Sequence, residues 1–230
     1  DCGSNYTGCM IGYHYAALLA DMMAKGYRNF DAELAYKHAV RSAEYDTTGI
    51  TPACPTWLYP YIMPKARYYR QTLGYVPSDM ENESVAKALE LCYDDWCTAQ
   101  VARMMGDTAR AAKYERWARL YTNYFDASTG FMRGKMADGS WRTPFSPARS
   151  THRQDDYCEG NAWQYTWLVP HDVKGLVRLF GGRKPFFHKL DSLFTVSSVI
   201  EGADTSPDST GMIGQYAHGN EPSHHILYLY

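Results

Sequence analysis

The run Tyr157-Cys158-Glu159-Gly160-Asn161-Ala162-Trp163-Gln164-Tyr165 sets one carboxylate among aromatic rings, two amides and a glycine, the composition of a polar pocket for a sugar. A carboxyl that protonates a glycosidic oxygen must hold its proton near neutral pH, and burial against rings moves its pKa in that direction. Glu159 is therefore a candidate general acid, and Trp163 offers a ring face on which a sugar can stack. The same residues also read as a hydrogen-bonded structural turn, and the run alone leaves both readings open.

A second constellation is Gly214-Gln215-Tyr216-Ala217-His218-Gly219-Asn220-Glu221-Pro222-Ser223-His224-His225. Gln215, Asn220 and Glu221 carry hard oxygen donors suited to Ca²⁺, whereas the three histidines suit Zn²⁺ if they converge. His224 and His225 are neighbours and diverge by about 100° on a helix, so at most one of them can join His218 at a single ion. Each histidine reads equally well as a hydrogen-bonded residue at a helix start.

The scaffold that must position these groups is bounded by composition. The chain has 230 residues, 45% of them hydrophobic, enough for one sizeable core or part of a larger one. A net charge of −2 gives no basic field for nucleic acid or an anionic membrane and leaves a neutral ligand as the favoured partner. Twenty tyrosines and six tryptophans exceed what a core needs, so rings must line surfaces or clefts, as they do in carbohydrate sites. The six cysteines form no Cys-x-x-Cys or Cys/His cluster, which argues against a zinc site and a disulfide framework. Cys92 and Cys97 fall five apart in one helical stretch, on different faces, and are expected as buried, unbridged thiols. No run approaches the roughly 18 apolar residues of a membrane span. The opening Asp1-Cys2-Gly3 reads as a cut end.

Helical periodicity dominates. The stripe Ala16, Leu19, Ala20 and Met23 predicts a helix over 13–25 that stops at Gly26. Asp31 is the expected N-cap of a second, reaching about Tyr45, before a Gly/Pro-rich stretch from Thr47 to Pro64 that is a long loop or a short helix. The strongest pair spans Asn82–Met105 and Thr108–Tyr124 across the break Gly106-Asp107, with Val85, Leu89, Trp96 and Ala99 expected in the core. Turn chemistry holds from Phe125 to Gly160. Helix resumes from His171 to Phe180, restarts near Pro185, yields to a loop from Glu201 to Gly219, and begins again near Glu221. Paired helices joined by tight turns and long irregular loops predict an all-α fold, part of an (α/α)6 toroid whose loops build a pocket at one end. A TPR-like solenoid is the alternative, but no pattern recurs at its roughly 34-residue period and these loops are too long.

Four stretches together resemble the glycoside hydrolase family 92 α-mannosidases. They are Thr7-Gly8-Cys9-Met10-Ile11-Gly12-Tyr13-His14; Glu81-Asn82-Glu83-Ser84-Val85 with Tyr93-Asp94-Asp95-Trp96; Glu159 to His171; and His218 to His225. The resemblance covers nearly the whole chain and implies an exo-acting, inverting, Ca²⁺-dependent hydrolase of terminal α-mannose in glycans such as N-glycans. It implies that Glu159 is the general acid, that Asn220 and Glu221 serve the metal, and that Trp163, His218 and Gln215 meet substrate. His14, Asp94 and Asp95 fit either pocket lining or helix packing, the latter being preferred for the two aspartates. An inverting enzyme also needs a general base about 6.5–9.5 Å from the acid. The family's base motif is not recognised between Asp1 and Tyr230, and Asp155, Asp156, Asp204 and Asp208 have no motif support. The chain is thus expected to be an internal piece of one catalytic domain, without the family's N-terminal β-sandwich or the rest of the toroid. Made alone it would be inactive, marginally stable and prone to self-association. The family further implies a periplasmic or secreted location. An α-glucoside-type toroid glycosidase is the runner-up.

Overall fold

The computed structural model describes residues 11–48 and 55–230. Cys2, Cys9, Cys54 and the start of the first family-like stretch lie outside the described residues. Two compact units are present, one of Asp1–Tyr75 with Glu90–Leu120, the other of Val76–Leu89 with Tyr121–Tyr230.

In the first unit, α1 (Tyr15–Ala24) buries Ala16, Leu19, Ala20 and Met23, the expected stripe. It stops where Gly26 takes φ +86°, a conformation that costs other residues strain. Helix α2 (Ala32–Ala43) starts at Asp31, whose side chain accepts the Leu34 N–H, as the sequence predicts. A 3₁₀ turn, Thr56–Leu58, leads into the four-residue α3 (Tyr59–Ile62) and then α4 (Lys65–Leu73). No apolar stripe announces α4, because two of the residues it buries are Arg67 and Arg70.

Helix α5 (Ser84–Met104) contributes to both units. Val85, Leu89 and Ala99 are buried as expected, but Trp96 is 37% exposed and does not belong to the core. The helix is buried around most of its circumference, and Tyr93, Trp96, Gln100 and Arg103 form the narrow stripe that reaches solvent. Apolar spacing alone therefore could not tell which face Trp96 occupies. Helix α6 (Thr108–Ala118) is capped by Asp107 after the turn at Gly106, but it ends six residues earlier than expected and passes into a 3₁₀ turn over Leu120–Tyr124.

The second unit opens with β1 (Phe125–Asp126) paired antiparallel to β2 (Phe131–Met132), with Phe125 opposite Met132. Long loops lead to the single-turn α7 (Ala162–Tyr165), then α8 (Val173–Leu179) and α9 (Arg183–Thr195). Trp167 stacks on Phe180 with centroids 5.6 Å apart and meets Phe186 edge-on at 5.5 Å, a ring core that anchors these helices. The loop after α9 carries a second small hairpin, β3 (Met212–Ile213) with β4 (Tyr216–Ala217). The helix expected from Glu221 is replaced by two 3₁₀ turns, Glu221–Ser223 and Ile226–Leu229. The bonds there run to the third residue back, Ser223 N–H to Asn220 and His224 N–H to Glu221, and Pro222 has no N–H to start an α-helical ladder. Cys92, Cys97 and Cys158 are buried and in no disulfide, as expected.

Candidate functional site

The amides of the Glu159 run turn out to do structural work. Asn161 caps α7 by accepting the Trp163 N–H at 3.0 Å, and Gln164 reaches back to accept the Asn161 N–H at 3.0 Å. This capping box fixes the chain immediately after Glu159-Gly160. Gly160 is required for it, since a Cβ there would lie 2.5 Å from the Gln164 Oε1. Gln215 completes the brace. It is 1% exposed, accepts from Asn161 Nδ2 at 2.9 Å, and donates to the carbonyls of Ser197 and Val199. Gln215 thus locks the loop before β3 to the start of α7.

On this rigid base Glu159 itself is strained and unpaired. Its φ is +53°, a left-handed conformation that an L-residue adopts only when its surroundings impose it. The imposing contacts are on its carbonyl, which accepts from Asn220 Nδ2 at 2.9 Å and Ser209 Oγ at 3.1 Å. Among the described residues its carboxyl has no hydrogen-bond or ion-pair partner. Burial pushes that carboxyl's pKa up; Asp208 adds repulsion, His152 offsets part of it, and Glu221 and Glu83 raise it further. This is the direction of shift that a general acid needs.

Glu83 and Asp208 are site residues that the sequence reading gave no role. Glu83 is 7% exposed, and it too has positive φ, +56°. Its N–H donates to the Asp155 carbonyl at 2.7 Å, while Val85 and Ala86 donate to the Asp156 carbonyl, so the start of α5 is sewn to the strand of chain leading to Glu159. Of the non-glycine residues with positive φ among those described, Glu83, Arg153 and Glu159, two are carboxylates that feel each other's charge. Backbone strain is invisible in a sequence. The presence of Glu83 in a family-like stretch was the only signal for it.

The downstream segment converges on the same place. Asn220 is 4% exposed and bonded to the Glu159 carbonyl through its nitrogen, which leaves its amide oxygen as the acceptor end. Glu221 is exposed and its carboxylate is unpaired among the described residues. A Cβ on Gly219 would lie 2.0 Å from Thr210 Oγ1, so only glycine lets the chain pass at that point. The histidines, by contrast, are engaged. His218 Nδ1 meets Tyr216 Oη at 2.8 Å, His224 Nε2 meets the His218 carbonyl at 2.9 Å, and His225 Nε2 meets the Trp167 carbonyl at 2.7 Å. The Asn220 amide oxygen and the Glu221 carboxylate are oxygen donors, which suit a hard cation better than zinc. Among the described residues no three His, Cys, Asp or Glu side chains are grouped to hold an ion. Trp163 is half-buried, edge-on to Phe131 at 4.8 Å and with Lys189 Nζ 4.6 Å from its ring.

The other family-like residues belong to the first unit and form a paired network. Asp95 accepts from Arg70 Nη1 and from Tyr13 Oη, the latter at 2.8 Å. Asp94 accepts the Tyr13 N–H at 2.5 Å and meets His14 Nδ1 at 2.9 Å, and His14 Nε2 lies 3.4 Å from Glu90. Burial would lower the His14 pKa, but the bond to Asp94 and the charges of Asp94 and Glu90 outweigh it and lift it to about 9. Both aspartates are completely buried, which is the helix-packing role preferred from sequence.

The sequence matches the glycosyl hydrolase family 92 catalytic domain over residues 1–230, and the chain belongs to that family. Its structure is similar to a family GH92 α-mannosidase from Bacteroides thetaiotaomicron in complex with mannoimidazole, with TM-score 0.78, 40% identity, and coverage of 96% of this chain and 28% of that one. A family GH92 inverting mannosidase from the same organism gives TM-score 0.78 at 33% identity, covering 99% of this chain and 30% of that one. An uncharacterized secreted glycosidase from Arthroderma benhamiae is 23% identical over 219 residues, 85% of this chain and 28% of its own length. The chain therefore spans under a third of the length of these relatives, and its all-α fold is that of the family's catalytic domain.

Proposed function

We propose that the protein carrying this chain removes terminal α-linked mannose from glycans by an inverting hydrolysis in which Glu159 is the general acid. The observation that carries the reading is Glu159 itself, strained, unpartnered and held toward its protonated form by burial and neighbouring carboxylates. The similarity to two solved mannosidases, one of them an inverting mannosidase, supports the substrate class and the stereochemistry.

In the reaction, Glu159 gives its proton to the glycosidic oxygen as the bond to the anomeric carbon breaks, and the rest of the glycan leaves as an alcohol. Water attacks the opposite face, its oxygen bonds to the anomeric carbon, and its proton passes to a base. No carboxylate of this chain is assigned as that base. Glu159 then regains a proton from solvent. Burial, Asp208, Glu221 and Glu83 raise its pKa, the direction a general acid needs, and the capping box with Gln215 keeps it aimed. Trp163 and His218 face the substrate in this reading.

Asn220 Oδ1 and the Glu221 carboxylate would hold Ca²⁺, two of the about six to eight oxygens such an ion takes, with water and sugar hydroxyls among the rest. When bound, the ion supplies a Lewis-acid contact to sugar hydroxyls. A full-length protein stripped with EDTA should melt at a higher temperature when Ca²⁺ is restored, and Asn220→Ala should abolish that rise. Stabilisation by Zn²⁺ alone would transfer the site to the histidines. The location follows the secreted relative, and no helix among the described residues is long and apolar enough to cross a membrane.

The test is leaving-group dependence. In the full-length protein, Glu159→Gln should lose about 10²–10⁴ of the rate on a mannobiose and far less on an aryl α-mannoside whose phenol leaves without a proton. Equal losses on both would remove Glu159 from that role. Turnover of aryl α-glucosides in place of α-mannosides would favour the α-glucosidase reading.

A further inference from the structure

Helix α9 buries Phe186, Leu190 and Leu193. Lys189 falls three residues after Phe186 and four before Leu193, so it stands at the edge of that apolar stripe, half-buried. A carboxylate is the ordinary partner for an ammonium in such a place, and among the described residues Lys189 meets none. Its Nζ meets rings instead, 3.3 Å from the ring centroid of Phe131 in β2 and 4.6 Å from that of Trp163 in α7. The two rings stand at 88° with centroids 4.8 Å apart, so the ammonium fills the corner between them. The Thr129 carbonyl, in the β1–β2 turn, accepts from Nζ at 3.4 Å.

The capping box sets the backbone of Trp163, whose N–H goes to Asn161, but its ring is set by what lies against it. Phe131, 5% exposed, is one fixed wall, and the Lys189 ammonium is the other. A cation on a tryptophan face is the strongest pair of this kind, and it strengthens where water is excluded. Other charge near the corner is already matched. In the β1–β2 hairpin Asp126 pairs with Arg133 at 2.9 Å, beside α8 Asp172 accepts the Tyr121 hydroxyl at 2.7 Å, and on α9 Asp191 accepts the Tyr230 hydroxyl at 2.8 Å. Helix α7 has no charged side chain, and its Tyr165 hydroxyl donates to the Cys158 carbonyl. On α9 Arg183 lies over Phe187, while Lys184 and His188 are exposed. Burial alone therefore moves the Lys189 pKa, from 10.5 down to about 8, with the rings favouring the cation and acting against it.

We infer that Lys189 is a positioning residue for Trp163, its ammonium holding one face of the indole so that the ring is set for the sugar. The inference rests on the glycosidase reading above, in which Trp163 meets substrate. Lys189 acts through Trp163 alone. Loss of its proton removes the attraction, the indole is no longer held in the corner, and sugar binding weakens while proton transfer from Glu159 is untouched.

The experiment uses the full-length protein carrying Glu159→Gln, with mannobiose titrated by calorimetry. Affinity should weaken about threefold to tenfold between about pH 6.5 and 9.5, with its midpoint near the Lys189 pKa of about 8. Adding Lys189→Met, which fills the corner without charge, should give the weak value at both ends of the range. Lys189→Arg should keep the strong value throughout, because a guanidinium stays charged. With Glu159 intact, Lys189→Met at about pH 6.5 should raise KM by the same factor and leave kcat unchanged. An arm without sugar reads the ring itself. The fluorescence difference between the protein and its Trp163→Phe variant should change with a midpoint near pH 8, and should be flat with pH when Lys189→Met is present. No such transition, or one that survives Lys189→Met, overturns the inference, as does mannobiose affinity that is flat with pH. A Lys189-dependent transition in a protein that neither binds nor cleaves mannosides leaves Lys189 holding Trp163 and removes the glycosidase reading.

Discussion

Two carboxylate-rich regions of this chain look alike in sequence and differ in how their charges are settled. Around α5, Asp94, Asp95 and Glu90 are each matched to a cation or a donor, namely His14, Arg70, Tyr13 and its backbone N–H. Around Glu159, the carboxyls of Glu83, Glu159 and Glu221 have no partner among the described residues, and repulsion adds to burial in lifting the Glu159 pKa. The backbone differs in the same sense, with positive φ at Glu83 and Glu159 and regular helix at Asp94 and Asp95. Charge that is paired holds a fold together; the carboxyls left unpaired on a strained, braced loop are the ones the proposed reaction uses.

The comparison breaks if the paired region proves dispensable. The largest effect is expected for Asp95→Ala, which leaves Arg70 buried and uncompensated and should cost about 3–5 kcal/mol in urea unfolding of the full-length protein. Asp94→Asn removes acceptors from Tyr13 N–H and His14 and should cost about 1–3 kcal/mol by the same measurement. In the unpaired region the sign should reverse. Glu159→Gly relieves the left-handed strain and should stabilise by about 0.5–1 kcal/mol, with activity lost.

A smaller effect, in pH, sharpens the contrast. Burial pushes the Glu90 carboxyl from 4.5 up to about 7, with His14 opposing and Asp94 adding to the shift. The folded state therefore keeps a proton that the unfolded chain releases near 4.5, and its stability falls as pH rises through that window. His14, lifted from 6.5 to about 9, likewise contributes stability that is present below 6.5 and lost as pH rises through 9. Melting temperature should decline from pH 5 toward 9, more shallowly in Glu90→Gln and His14→Asn. A profile unaltered by both substitutions would dissociate this network from stability.

Much of the fold was legible because its signals are local. Asp31 announces α2 and Gly26 ends α1, as cap chemistry requires. What was hidden depended on burial from outside the element. Trp96 could not be placed on a helix buried nearly all round, and α4 carries arginines on its buried side because Asp95 is there to receive Arg70. At the site, Glu159 stood out by type and neighbours, whereas its strain, and the gathering of Glu83 and Asp208 from distant parts of the chain, arise only on folding. The amides of Asn161 and Gln164 pointed toward sugar chemistry in sequence and proved to be a capping box, a pattern readable from their spacing of three.

The most direct measurement is activity and melting taken together on the full-length Glu159→Gln protein. Replacing a carboxyl whose anion burial and neighbouring carboxylates disfavour should leave the melting temperature unchanged or raised while mannobiose hydrolysis falls at least about a hundredfold. A variant that melts earlier and keeps its turnover would show that Glu159 belongs with the paired, structural carboxylates, and would contradict the account.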